Sequence, residues 1–145
     1  MDSKGCNEMK KLILLSLLFV ASLLIVSGCN SGSTKNVEDL HSQVKTYGKL
    51  IRWRAFEDAN EFVKPRDGST APFDSELLSE IRVTKYEVST IILNESQDEA
   101  AVTTDISYYH ERINSVNDIR DKQTWWKDED SGRWFIDGTL PAFEP

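Results

Sequence analysis

The sequence predicts an α+β domain, one long N-terminal helix packed on a curved four-stranded antiparallel sheet, and three observations carry that prediction. Apolar residues recur at helical spacing as far as Pro65, from Arg82 the period becomes two, and polar turn clusters divide the period-two region into strands. Runs of helix followed by runs of strand point to a helix layer on an antiparallel sheet.

The helix is expected from about Val37 to Val63. Asn36 can cap it, with Asp39 near the capping-box position and Glu38 adding negative charge at the positive end of the helix dipole. Leu40, Val44, Tyr47, Ile51, Ala55 and Phe62 fall in one stripe, and Pro65 stops the run. After Leu50 a second apolar side appears, formed by Trp53, Phe56 and Val63, so cover on that side is expected. Residues 66–71 read as a loop, and 72–81 as a segment folding back so that Phe73, Leu77 and Leu78 bury Trp53 and Phe56. Arg54 and Asp58, four apart, could close as an ion pair, either at a cavity mouth or as a structural pair at the stripe's edge.

Residues 82–93, rich in β-branched and aromatic side chains, form the first expected strand, ending at the turn cluster Asn94 to Asp98. The second, about Glu99 to Arg112, alternates, with Ala100, Val102, Thr104, Ile106, Tyr108 and His110 facing the helix and Asp105 and Tyr109 facing out. A third strand from Ile119 to Lys127 and a fourth from Arg133 to Gly138 are joined by a turn over Asp128 to Gly132. That turn sets Trp125 opposite Ile136 and Trp126 opposite Phe135. Trp125, Trp134 and Ile136 are then inner, and Trp126, Phe135 and Tyr109 share the outer face as a candidate interaction surface. The C-terminal tail, with Leu140 and Phe143, could instead fold over them.

The start of the chain concerns compartment. Lys10 and Lys11 precede an uncharged run from Leu12 to Val26, shorter than the roughly 20 residues that span a bilayer and suited to a signal-peptide core. It ends in Val26-Ser27-Gly28-Cys29, which resembles the bacterial lipobox; an uncleaved anchor is the other reading. The resemblance implies a signal peptide over 1–28, a diacylglycerol on the Cys29 sulfur, and a lipid-anchored cell-envelope protein. Met9 gives a Met-Lys-Lys start and is expected to be the true one, which would make Cys6 an artefact of the start site. Asn30 stands where inner-membrane retention would have Asp, so by resemblance the anchor belongs in the outer membrane, facing the periplasm, if the cell is Gram-negative. Residues 29–36 then comprise the lipidated cysteine and a flexible tether, and 37–145 the domain. No disulfide can form if Cys29 is acylated, since Cys6 leaves with the signal.

The closing pattern Thr124-Trp125-Trp126-Lys127 through Gly132-Arg133-Trp134, with the helix around Tyr47 and Leu50 to Trp53, is similar to the nuclear-transport-factor-2-like and cystatin-like group. The resemblance covers nearly all of 37–138, though the chain leaves no room for the second long helix of the fuller members. It implies either a pocket or sheet-to-sheet dimers.

The net charge of −7 disfavours nucleic acid and anionic lipid surfaces. His110 with Tyr108 reads either as an acid/base pair or as a rim histidine with a satisfied hydrogen bond, and His41 as solvated. Asp128, Asp130 and Gly132 imitate part of a calcium loop without its bidentate Glu, so a turn is preferred; neither metal nor cofactor is expected. Two function classes follow. One is a non-catalytic interaction module that binds a second copy or another envelope protein. The other is a small-molecule pocket or degenerate enzyme, lined by Tyr86, Tyr108, His110 and Trp125.

Overall fold

The computed structural model describes residues 31–113 and 115–144. The signal segment and Cys29 lie outside the described residues. Residues 33–145 form one compact unit. The described residues form an α+β arrangement of three helices, α1 (Ser31–Arg52), α2 (Phe56–Asn60) and α3 (Ser75–Glu80), and four strands, β1 (Ile81–Leu93), β2 (Glu99–His110), β3 (Val116–Lys127) and β4 (Trp134–Ile136). The sheet is an antiparallel meander in the order β1-β2-β3-β4.

The single helix expected over 37–63 is not what the chain forms: α1 ends at Arg52 and a separate short α2 follows. The end is a Schellman cap. The Ala55 amide donates back to the Leu50 carbonyl at 2.9 Å and the Arg54 amide to Ile51 at 3.2 Å, with Arg54 itself left-handed at φ 64°. Glycine normally takes that position, since a side chain there is strained. Arg54 is held by its guanidinium, whose Nε donates to the Ile81 carbonyl at 3.0 Å while a terminal nitrogen donates to the Ser79 carbonyl. The expected Arg54–Asp58 pair is thus replaced by an anchor to the start of β1.

The helix also starts earlier than expected, so residues 31–36, read as a tether, are helical. Asn36 is no cap. Its Oδ1 accepts a 2.5 Å bond from Lys127 Nζ, a partner on β3 that its place within the helix makes reachable.

From there α1 crosses the inner face of the sheet. Gln43 Oε1 accepts from the Trp134 amide, the Tyr47 ring meets Trp125 edge-on at 5.7 Å, and Arg52 donates to the Val83 carbonyl at 2.6 Å. Leu40, Val44, Tyr47 and Ile51 are fully buried against Val102, Ile106, Trp125, Trp134 and Ile136. Every inner position expected on β2, from Ala100 to His110, is buried.

The hairpin register agrees with expectation, Trp125 opposite Ile136 and Trp126 opposite Phe135. β1 carries two irregularities that its sequence conceals, at Thr84 and at Ser89. Each residue that falls out of the ladder donates its own hydroxyl to β2, Thr84 to the Ser107 carbonyl and Ser89 to the Thr103 carbonyl, both at 3.0 Å.

The tail covers the inner face, not the outer one. Phe143 stacks edge-on against Tyr108 at 5.0 Å and Phe56 at 5.7 Å, and the Glu144 amide donates to the Tyr108 hydroxyl at 2.9 Å. Phe143→Ala should therefore cost about 3 kcal/mol or more, as large core truncations do. A denaturation midpoint that barely moves would show the tail to be loosely held.

Candidate functional site

Between α1 and the free side of β1 runs a groove of about 900 Å³, bounded by His41 to Trp53 on the helix and Tyr86 to Ile91 on the strand. Helical spacing places Lys45, Lys49, Arg52 and Trp53 along one face of α1, where they form its wall. Among the described residues no acidic side chain lines it. Its floor is Val44, Tyr86, Val88 and Ile91. Trp53, expected to be buried, is 80% exposed: its amide still donates to the Lys49 carbonyl at 2.9 Å, which keeps it on the exposed face of α1, while Phe56 enters the core with Leu78. Phe73 and Leu77 pack at the edge of that core.

The width of the groove is set by Gly48. A Cβ built there would come within 2.6 Å of the Tyr86 ring, so only glycine lets the strand approach the helix this closely.

Beneath the groove lies a chain of polar groups on the inner face. Trp125 Nε1 donates to Gln123 Oε1 at 2.9 Å, and Gln123 Nε2 donates to Asp121 at 2.7 Å and to the Tyr86 hydroxyl at 3.3 Å. Burial pushes the Tyr86 phenol up to about 12 and holds the Tyr47 phenol well above its usual range. Burial also raises Asp121, against the lowering effect of the Gln123 bond.

Of the residues expected to line a pocket, only Tyr86 does. Tyr108, His110 and Trp125 are buried in a packed interior. His110 and Tyr108 have separate partners: His110 Nε2 meets Glu80 at 2.8 Å and its Nδ1 accepts from the Arg112 amide, while Tyr108 is bound to the tail. His41 is exposed at the groove rim.

The three aromatics expected to share the outer face do not meet. Tyr109 pairs with Val116 at one end of the sheet, while Trp126 pairs with Glu99 at the other, because strand neighbours ten residues apart lie about 33 Å apart. Trp126 and Phe135 do stack, at 5.9 Å, but Lys64 covers both, its Nζ 5.3 and 4.9 Å from the two ring centres and its carbonyl accepting from Trp126 Nε1. Elsewhere the outer face is a ladder of ion pairs, Asp105 with Arg120 and Lys85 with Glu87. Asp128 caps its own turn through Ser131 and pairs with Lys64, and the Ser131 bond first, then the Lys64 bond, hold its carboxyl down at about 2. Among the described residues no group of three or more His, Cys, Asp or Glu could hold a metal ion, and no helix is long and apolar enough to cross a membrane.

Sequence reasoning missed Lys45, Lys49 and Gly48, and also Asp121 and Gln123. The second pair was within reach: on β3, Ile119, Asp121, Gln123 and Trp125 alternate, so placing Trp125 inside places a carboxylate and an amide inside too.

No family model matches the chain, and comparison with curated proteins returns no match.

Because its proton is held more tightly in the fold than in the unfolded chain, Asp121 costs stability when ionised, a cost absent below the unfolded value near 3.9 and growing as pH rises through the raised native value. Asp121→Asn should raise the melting temperature at pH 7, and the difference should shrink toward pH 3. A lower melting temperature at pH 7 would mean that the charge is stabilised by its surroundings.

Proposed function

We propose that this chain is a lipid-anchored cell-envelope lipoprotein whose domain acts as a non-catalytic protein-interaction module. Cys29 would carry the lipid, facing the periplasm from the outer membrane in a Gram-negative cell. The observation that carries the interaction reading is the groove between α1 and β1, basic along one wall and flanked by a fully presented tryptophan, in a chain of net charge −7. An exposed Trp beside Arg is the composition found at energetic centres of interfaces. The residues best suited to acid/base work, His110 and Tyr108, spend their polar atoms on Glu80 and the tail.

The order of elements, helices followed by a four-stranded meander, supports the likeness to the nuclear-transport-factor-2-like and cystatin-like group. The outer face, laddered with ion pairs, favours a heterologous envelope partner over a sheet-to-sheet homodimer. A small-molecule pocket is the second reading, favoured by Asp121, kept partly buried at a cost, and by Tyr47, whose buried hydroxyl feels the Asp121 charge and has no partner among the described residues.

Two outcomes test the reading. Cys29→Ala should abolish fatty-acid labelling and leave the precursor unprocessed; continued labelling at the mature size would refute the anchor. A partner recovered from detergent-solubilised membranes with the parent chain should be lost with Trp53→Ala, whose stability should change by less than about 0.5 kcal/mol, as for ordinary surface positions. Recovery unchanged by that substitution would move the interface elsewhere.

A further inference from the structure

The groove combines a sheet edge with a regularly spaced row of cations, and the two repeats match. On the helix, Lys45 and Lys49 are four residues apart, about 6 Å along the axis, and Trp53 follows after the same interval. Alternate side chains of an extended strand recur about every 6.7 Å. An extended chain lying beside β1 would thus present every second side chain to successive positions of α1.

β1 can accept such a neighbour. It is the first strand of the sheet order, so its far side faces no other strand among the described residues. Near its start that side is occupied, since Arg54 and Arg52 take the carbonyls of Ile81 and Val83. Farther on, Val88, Ser89 and Thr90 are exposed along the groove. An added strand gains main-chain hydrogen bonds from such an edge and specificity from the pockets that its alternate side chains enter.

Deepening the interaction reading and resting on it, we propose that the groove receives an extended acidic polypeptide segment that adds to β1, with carboxylates at alternate positions facing Lys45 and Lys49 and an apolar side chain at the next alternate position against Trp53. Charge decides the ligand class. The groove wall is cationic in a chain where acids outnumber bases 24 to 17, so the rest of the surface repels an acidic segment and the groove selects it. Shape decides between a polypeptide and a membrane: a concave channel between a helix and a strand edge accommodates one extended chain, whereas a bilayer surface is flat.

The test uses the full chain in neutral detergent micelles and fluorescein-labelled peptides of identical composition. One is Thr-Glu-Thr-Glu-Thr-Phe-Thr, the second its reverse, and the third Thr-Glu-Glu-Thr-Thr-Phe-Thr, which breaks the alternation. One of the two alternating peptides should bind at least tenfold more tightly than the third, weaken as salt rises, and lose at least tenfold with K45E/K49E, two exposed substitutions whose folding is checked by circular dichroism. Equal binding of all three peptides, binding unaffected by K45E/K49E, or no binding of any would overturn the proposal. A groove that ignores the peptides while brominated anionic lipid quenches the Trp53 emission, identified by its loss in Trp53→Ala, would be a membrane contact. Each of these failures leaves the fatty-acid labelling of Cys29 and the Trp53-dependent partner recovery standing on their own results.

Discussion

The contact between Gly48 and the Tyr86 ring is the constraint on which the rest of the arrangement depends. A helix carrying side chains at every turn sits about 10 Å from a sheet it covers, and a missing Cβ lets it settle closer. With α1 drawn onto β1 at that point, Arg52 reaches the Val83 carbonyl, Tyr47 reaches Trp125 on β3 and Gln43 meets the Trp134 amide on β4, so one helix reaches across the whole sheet. The Tyr86 ring that packs on Gly48 also accepts from Gln123 of the polar chain at its hydroxyl and lines the groove.

Much of this was legible in the order of residues, and the parts that were not have physical reasons. Strand β2 and the β3–β4 hairpin follow from alternation and from a turn, both local in sequence, and so Trp125 and Trp134 could be placed inside from the chain alone. The end of α1 could not. Its left-handed residue is Arg54 where composition leads one to look for glycine, and what holds it is a pair of carbonyls on residues 79 and 81, distant in sequence. The bulges at Thr84 and Ser89 were equally hidden, because a β-branched or hydroxyl residue in a strand looks the same whether or not it is paired.

Net charge conceals the basic groove wall for a related reason. It sums over a surface on which ion pairs cancel locally: Asp105 is neutralised by Arg120, and Asp128 by Lys64. Lys45 and Lys49 stand on the helix face away from those ladders, so a locally positive groove coexists with an acidic chain. Trp53 belongs to the same oversight. Its apolar side chain suggests core, but it follows Lys45 and Lys49 on the helix face opposite the buried stripe, and residues 72–81 do not cover it. An exposed tryptophan contributes little to folding, and its place beside two cations is what the proposed binding role rests on.

The thermal stability of Gly48→Ala tests the close approach most directly, because two effects of opposite sign compete there. In an ordinary helix the substitution stabilises by about 1 kcal/mol, since alanine loses less backbone freedom than glycine. Here the new methyl would lie 2.6 Å from Tyr86, and overpacking of that kind costs about 1–3 kcal/mol. The account predicts a lower melting temperature, with Tyr86 displaced toward the groove. A higher one would contradict it, because it would mean that α1 and β1 do not meet closely at this glycine.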